Sequence, residues 1–181
     1  MLRAFTITFI FSAIVTLANA QTITHARFKI SNRNDGIQSV ELLIDDRFYI
    51  GLTGNGGVDY IQLTTRTPLA VEDMDNLGMP LTWYDQSDIH DIPGKIKSIG
   101  GIQIVYNNVF DIHERKGTLK SIGDIPISYY NVFDIHDPQG KVKSIGKIQI
   151  EYYNAFDSKE LFGRIKSIKG NSRDFAVVAG R

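Results

Sequence analysis

The residues best equipped for chemistry come in copies. Asp88-Ile89-His90-Asp91, Asp111-Ile112-His113-Glu114 and Asp134-Ile135-His136-Asp137 each set an imidazole between two carboxylates. A fourth copy, Asp157-Ser158-Lys159-Glu160, keeps the acids and loses the ring. Imidazoles suit zinc or copper, and carboxylate oxygens alone suit calcium. If successive copies line one edge of the fold, Asp88, His90, Asp91, Asp111, His113, Glu114, Asp134, His136 and Asp137 form a ladder that can hold a divalent metal. Turn chemistry is the competing expectation. Asp opens turns by bonding its own backbone. Adjacent hairpins also lie roughly 9–10 Å apart, too far for one ion to bridge equivalent residues.

Catalytic templates are absent. The chain has no Cys, which removes thiolate nucleophiles, Cys-ligated zinc and disulfides together. There is no Gly-x-Ser-x-Gly, no His-Glu-x-x-His and no P-loop. The glycine-rich stretch at 51–57 lacks the βαβ context that cradles phosphate. A His–Asp pair needs a third partner in space before it activates a nucleophile. The expectation is a non-enzymatic protein with no catalytic residue and no cofactor.

The copies belong to a longer period. Lys-Ser-Ile recurs from Lys97, Lys120, Lys143 and Lys166, a step of 23. The same step aligns Gly94, Gly117, Gly140 and Gly163, and the aromatic row Trp83, Tyr106, Tyr129 and Tyr152. Four units cover 79–170. Each holds a short extended run such as 95–99 and a longer one such as 102–110, in which Ile102, Ile104, Tyr106 and Phe110 share one face. Gly100-Gly101, Gly123-Asp124 and Gly146-Lys147 read as tight hairpin turns. The fold class expected is all-β, an antiparallel meander of tandem 23-residue β-hairpins. One hairpin cannot bury its apolar face alone, so stacking of the next unit is expected to supply the cover. A two-residue turn pairs Ile99 with Ile102 but leaves Ile96 on the other face; a three-residue loop with a bulge would reverse that. Pro80 and Pro126 require those strands to be bulged, edge-like or short. The alternative is a parallel solenoid, because Ile99-x-x-Ile102-x-Ile104-x-x-Asn107 fits the leucine-rich template.

Tyr-x-x-Phe-Asp followed by Gly-Lys-Val-x-x-Ile resembles the YD repeats of Rhs-type secreted proteins, which form strips of β-hairpins. The units also resemble small exported bacterial proteins rich in Gly-Lys/Arg-Ile/Val-x-x-Ile-Gly. The likeness covers about half the chain and implies the hairpin architecture; it brings no activity with it.

Residues 1–20 read as a signal peptide. Arg3 precedes an uncharged apolar stretch, and Ala18-Asn19-Ala20 is a small-x-small cleavage site. Export with cleavage after Ala20 is expected, to the periplasm or the outside. The stretch falls short of a bilayer span, as does 175–179, so the mature chain carries no transmembrane segment. Removing Arg3 takes the formal net charge from 0 to −1, and no block of one sign argues for nucleic acid. The mature chain divides into 21–78, diverged hairpins or a cap, the four units of 79–170, and a tail at 171–181. Its partner is then a protein or glycan at the cell surface. Glycans would use the Tyr/Trp row or a Lys97-Lys120-Lys143-Lys166 stripe, although core packing and a solvated strand face explain those rows equally. Self-association through end strands, leading to a self-assembled matrix, is the further route.

Overall fold

A computed structural model describes residues 21–32 and 36–180. The leader read at 1–20 lies outside the described residues. The first four strands, β1 (Ile23–Ser31), β2 (Ile37–Ile44), β3 (Phe48–Thr53) and β4 (Val58–Leu63), form an antiparallel meander. Alternation builds it. Ala26, Phe28 and Ile30 of β1 are buried while Arg27 and Lys29 between them are exposed. The β3–β4 turn uses Gly56 at φ +88°, a left-handed conformation that costs glycine nothing. A short helix, α1 (Val71–Asn76), buries Met74 and leads into the units.

Eight further strands make the second sheet: β5 (Leu81–Trp83), β6 (Ile96–Ile99), β7 (Ile102–Tyr106), β8 (Leu119–Ile122), β9 (Ile125–Tyr129), β10 (Val142–Ile145), β11 (Ile148–Tyr152) and β12 (Ile165–Lys169). They lie in chain order and every neighbouring pair is antiparallel. The parallel solenoid is thereby overturned. Two-residue turns pair Ile99 with Ile102, Ile122 with Ile125 and Ile145 with Ile148. The position of Ile96 is settled on the other side of each short strand. There a β-bulge leaves Lys97, Lys120, Lys143 or Lys166 unpaired, so Ile96 and Ile99 both face the core, as do Leu119 with Ile122 and Val142 with Ile145.

The longer run ends earlier than its alternation suggests. β7 stops at Tyr106, and Phe110 is a loop residue 68% exposed, not a core residue. Pro126 sits inside β9, where its carbonyl accepts from Gly146 N at the last rung before the β10–β11 turn. A missing donor there interrupts no inner rung.

The segment at 171–181, read as a tail, forms a strand, β13 (Phe175–Gly180), which pairs in parallel with β1 and completes a five-stranded sheet β13-β1-β2-β3-β4. The two sheets bury one continuous core. Cover for the units therefore comes from this first sheet, not from the stacking of one hairpin on the next. Contacts span the layers. Ile96 N donates to Gly56 O, Gly101 N to Gln21 Oε1 and Ile165 N to Asn32 Oδ1.

Two core tyrosines differ in one bond. Tyr129 donates to Leu119 O at 2.8 Å, whereas the Tyr106 hydroxyl is buried among the described residues with no acceptor. Tyr129→Phe should therefore cost about 1 kcal/mol, and Tyr106→Phe should be neutral or slightly stabilising. Urea midpoints of the two variants, which share size and shape, check this directly.

Candidate functional site

The Asp-x-His-acid loops connect the hairpins along one edge of the eight-stranded sheet. In the second unit, Asn108 Oδ1 accepts from Phe110 N while Asn108 N donates to Asp111 Oδ2. The same two bonds recur at Asn131 with Phe133 and Asp134, and at Asn154 with Phe156 and Asp157. In the first unit Asp85 takes the Asn role, accepting from Ser87 N and donating its own N–H to Asp88 Oδ2. Each loop is thus a closed side-chain-to-backbone turn.

The other carboxylate oxygen meets the bulge lysine. Lys97 reaches Asp88, Lys120 Asp111, Lys143 Asp134 and Lys166 Asp157, at 2.6 to 3.0 Å. The bulge explains the reach, because it swings that side chain out of the pleat toward its own loop. The lysines are therefore paired one to one, which neutralises the stripe. Lys97 also lies over the Tyr84 ring, Lys143 over Tyr130 and Lys166 over Tyr153.

The remaining members of each copy bind the next unit. Asp91 accepts from Asn108 Nδ2 at 3.2 Å, Glu114 from Asn131 Nδ2 at 3.0 Å and Asp137 from Asn154 Nδ2 at 3.1 Å. His90 rests on Phe110 with ring centroids 4.7 Å apart, His113 on Phe133 at 4.7 Å and His136 on Phe156 at 4.5 Å. Asp88, His90, Asp91 and their counterparts thus fall into three parallel rows, each row with its own protein partner. Among the described residues no three His, Asp or Glu side chains converge as a metal centre would require. Sequence reasoning missed Asn108, Asn131 and Asn154 and the role of Phe110, Phe133 and Phe156. The signal was present, since those residues recur at the same 23-residue step.

Three of the four members of the aromatic row behave as core. Tyr106, Tyr129 and Tyr152 are 2 to 5% exposed, out of reach of a sugar, whereas Trp83 on the short edge strand β5 is 38% exposed and its neighbour Tyr84 is buried instead. The apolar members of the loops do the opposite. Ile89, Ile112 and Ile135 are 74 to 79% exposed, and Phe110, Phe133 and Phe156 are 68 to 78% exposed. The recurring Asn, Asp and Lys side chains, with Asp91, Glu114 and Asp137, are engaged in the loop architecture while Ile and Phe face solvent. A cleft of about 740 Å³ flanks the third and fourth loops between Asp137, Lys141 and Arg164. Its charged lining, one carboxylate with one amine and one guanidinium, is joined by Asn32, Gln139, Ile135, Pro138 and Phe162.

The Lys–Asp pairs predict acid lability. Lys120 and Lys143 hydrogen bonds hold Asp111 and Asp134 below the usual carboxylate range, and Lys97 does the same to Asp88. For Asp157 the backbone N–H of Asn154 leads, followed by Lys166. A carboxylate depressed in the folded state stabilises above its unfolded pKa, about 3.9, and loses that contribution as pH falls through the lower folded value. The pairs are solvent-screened and individually weak. The Lys120→Met/Lys143→Met double variant should therefore show a smaller drop in Tm between pH 5 and pH 2 than the parent.

No family model matches the chain, and neither does a curated protein or a solved structure.

Proposed function

We propose that this chain is an exported, non-catalytic module that works by contact, presenting the loop edge of its eight-stranded sheet to a partner at or beyond the cell surface. The apolar row carries the reading. Soluble domains expose single apolar side chains freely, but contiguous apolar patches beyond a few hundred Å² mark interaction surfaces. Here six large apolar side chains recur in register on loops whose backbones are pinned by Asn, Asp and Lys. Pinned loops lose little freedom on binding, which favours contact. Export rests on the leader at 1–20, and the lack of Cys and of the Gly-x-Ser-x-Gly, His-Glu-x-x-His and P-loop templates favours a non-catalytic role.

Two measurements test this. Mass spectrometry of the chain recovered from the periplasm or medium should find an N-terminus at Gln21; an intact Met1 terminus on cytoplasmic protein ends the export reading. In dilute solution, where the edge has no partner to cover it, an environment-sensitive apolar dye should bind the native chain, and the Ile89→Ser/Ile112→Ser/Ile135→Ser variant should bind several-fold less at unchanged Tm. Equal dye binding by both proteins removes the loop edge as the working surface.

A further inference from the structure

We infer that the partner of the loop edge is a second copy of this chain, paired edge to edge about a two-fold axis through the loop that carries Ile112. This rests on the reading of that edge as the working surface.

Area comes first. Ile89, Ile112, Ile135, Phe110, Phe133 and Phe156 are each more than two-thirds exposed, and Val109 and Val132 are about half exposed. Three Phe at about two-thirds to three-quarters of an aromatic side chain's ~150–250 Å², with three Ile equally exposed, present several hundred Å² of apolar surface. A standard interface buries about 800 Å² per partner, so the row supplies its apolar centre and the flanking polar loop residues its rim.

Shape comes second. Each row is periodic, with one apolar group per hairpin at roughly 10 Å spacing. Its three groups are Ile89 beside the His90–Phe110 stack, Ile112 beside His113–Phe133, and Ile135 beside His136–Phe156. A row of equal steps matches itself when rotated by half a turn. Ile89 then faces Ile135 of the other copy, and Ile112 meets Ile112 at the axis, as an isologous contact requires. Maximal burial selects the register in which all three groups engage.

Charge comes third. The loop carboxylates Asp88, Asp111 and Asp134 are neutralised by Lys97, Lys120 and Lys143, while Asp91, Glu114 and Asp137 keep their charge and are offset within their own loops by Lys95, by Arg115 and Lys116, and by Lys141. With a formal net charge near zero, little long-range repulsion opposes a like copy. The sheet ends are poorer routes. β5 is three residues long and follows Pro80, while β12 carries Lys166 and Lys169 and has its Ile165 N–H taken by Asn32.

The chain has no Cys, so an introduced thiol reports position cleanly. Sedimentation velocity on the chain from Gln21, across a hundredfold concentration range, should show a species of twice the monomer mass. The Ile89→Ser/Ile112→Ser/Ile135→Ser variant should remain monomeric with an unchanged circular dichroism spectrum. Oxidised Ile112→Cys should cross-link to a dimer, and Lys147→Cys, in a turn on the opposite edge, should not. A parent chain monomeric throughout overturns the pairing, and if the apolar dye still distinguishes parent from triple variant, only the choice of partner has failed. A dimer that survives the triple substitution, or cross-links equally at 147, places the contact elsewhere and also overturns it. Binding of a monomeric parent to lipid vesicles or to an insoluble glycan, lost in the variant, assigns the edge to that surface instead.

Discussion

Deleting one whole unit, residues 117–139, should abolish cooperative folding, although the cut joins equivalent positions and leaves every remaining hairpin turn intact. Local bookkeeping does not decide the outcome. The deletion removes four buried core side chains, Leu119, Ile122, Ile127 and Tyr129, together with the ordering cost of the excised residues. In a solenoid such a cut lowers stability only by one unit's share and leaves the remainder cooperative. Here the cover is the five-stranded sheet, whose width does not change. Ile23 of β1 lies over Gly123, and Phe175 of β13 lies over Gly146. Shortening the eight-stranded sheet by one hairpin, roughly 10 Å, leaves the β13 side of that cover without a core beneath it. The Ile165–Asn32 bond is lost with it. Calorimetry should show a broad or absent transition; a sharp melt within a few degrees of the parent would falsify the shared core.

This dependence also separates what the sequence made legible from what it did not. The hairpins, their turns and the inward face of Ile102, Ile104 and Tyr106 follow from a period of two and from Gly after Ile. The second layer does not, because pairing of β13 with β1 joins residues about 150 apart through a parallel contact with no local signature. Phe175-Ala-Val-Val-Ala is too short and too uniform to announce its partner.

The loops were half legible. Recurrence of Asp, His and acid pointed to a ladder, but recurrence alone does not distinguish a shared ligand from a shared neighbour. The ends of the array hold the distinction. His is missing only at Lys159, in the last unit, where no following Phe exists to receive it. Phe is missing only at Ser87, in the first unit, where no preceding His exists to offer. Asn becomes Asp85 in that same unit, where no earlier acid needs its Nδ2. Each departure falls where a contact to the adjacent unit has no partner. A metal row gives no reason for Phe and Asn to vary in step with the array ends.

Gly54→Ala should be among the most damaging single substitutions, at about 3 kcal/mol or more, the range of overpacked sites that cannot relax. A Cβ at Gly54 would stand 1.9 Å from Ile37 O and 2.9 Å from its carbonyl carbon. The obstacle is backbone, so no rotamer change relieves it. Moving the chain away breaks the bond from Gly54 N to Gln38 O, and shifts the turn that supplies Gly56 O to Ile96 N and Asn55 O to Lys95 Nζ. One methyl group therefore disturbs both the first sheet and its seat on the second. Two controls isolate the cause. Gly94→Ala has open space around its Cβ but a φ of +84°, and should cost about 1–2 kcal/mol from the left-handed conformation alone. Gly57→Ala meets side-chain atoms only, the Thr53 hydroxyl at 3.1 Å and Asn55 Oδ1 at 3.7 Å, without a left-handed φ, and should cost less than Gly54→Ala. Urea unfolding of the three variants gives the order. If Gly94→Ala proves the most damaging, backbone conformation rather than contact between the layers governs stability, and the close packing of the β3–β4 turn is not what seats one sheet on the other.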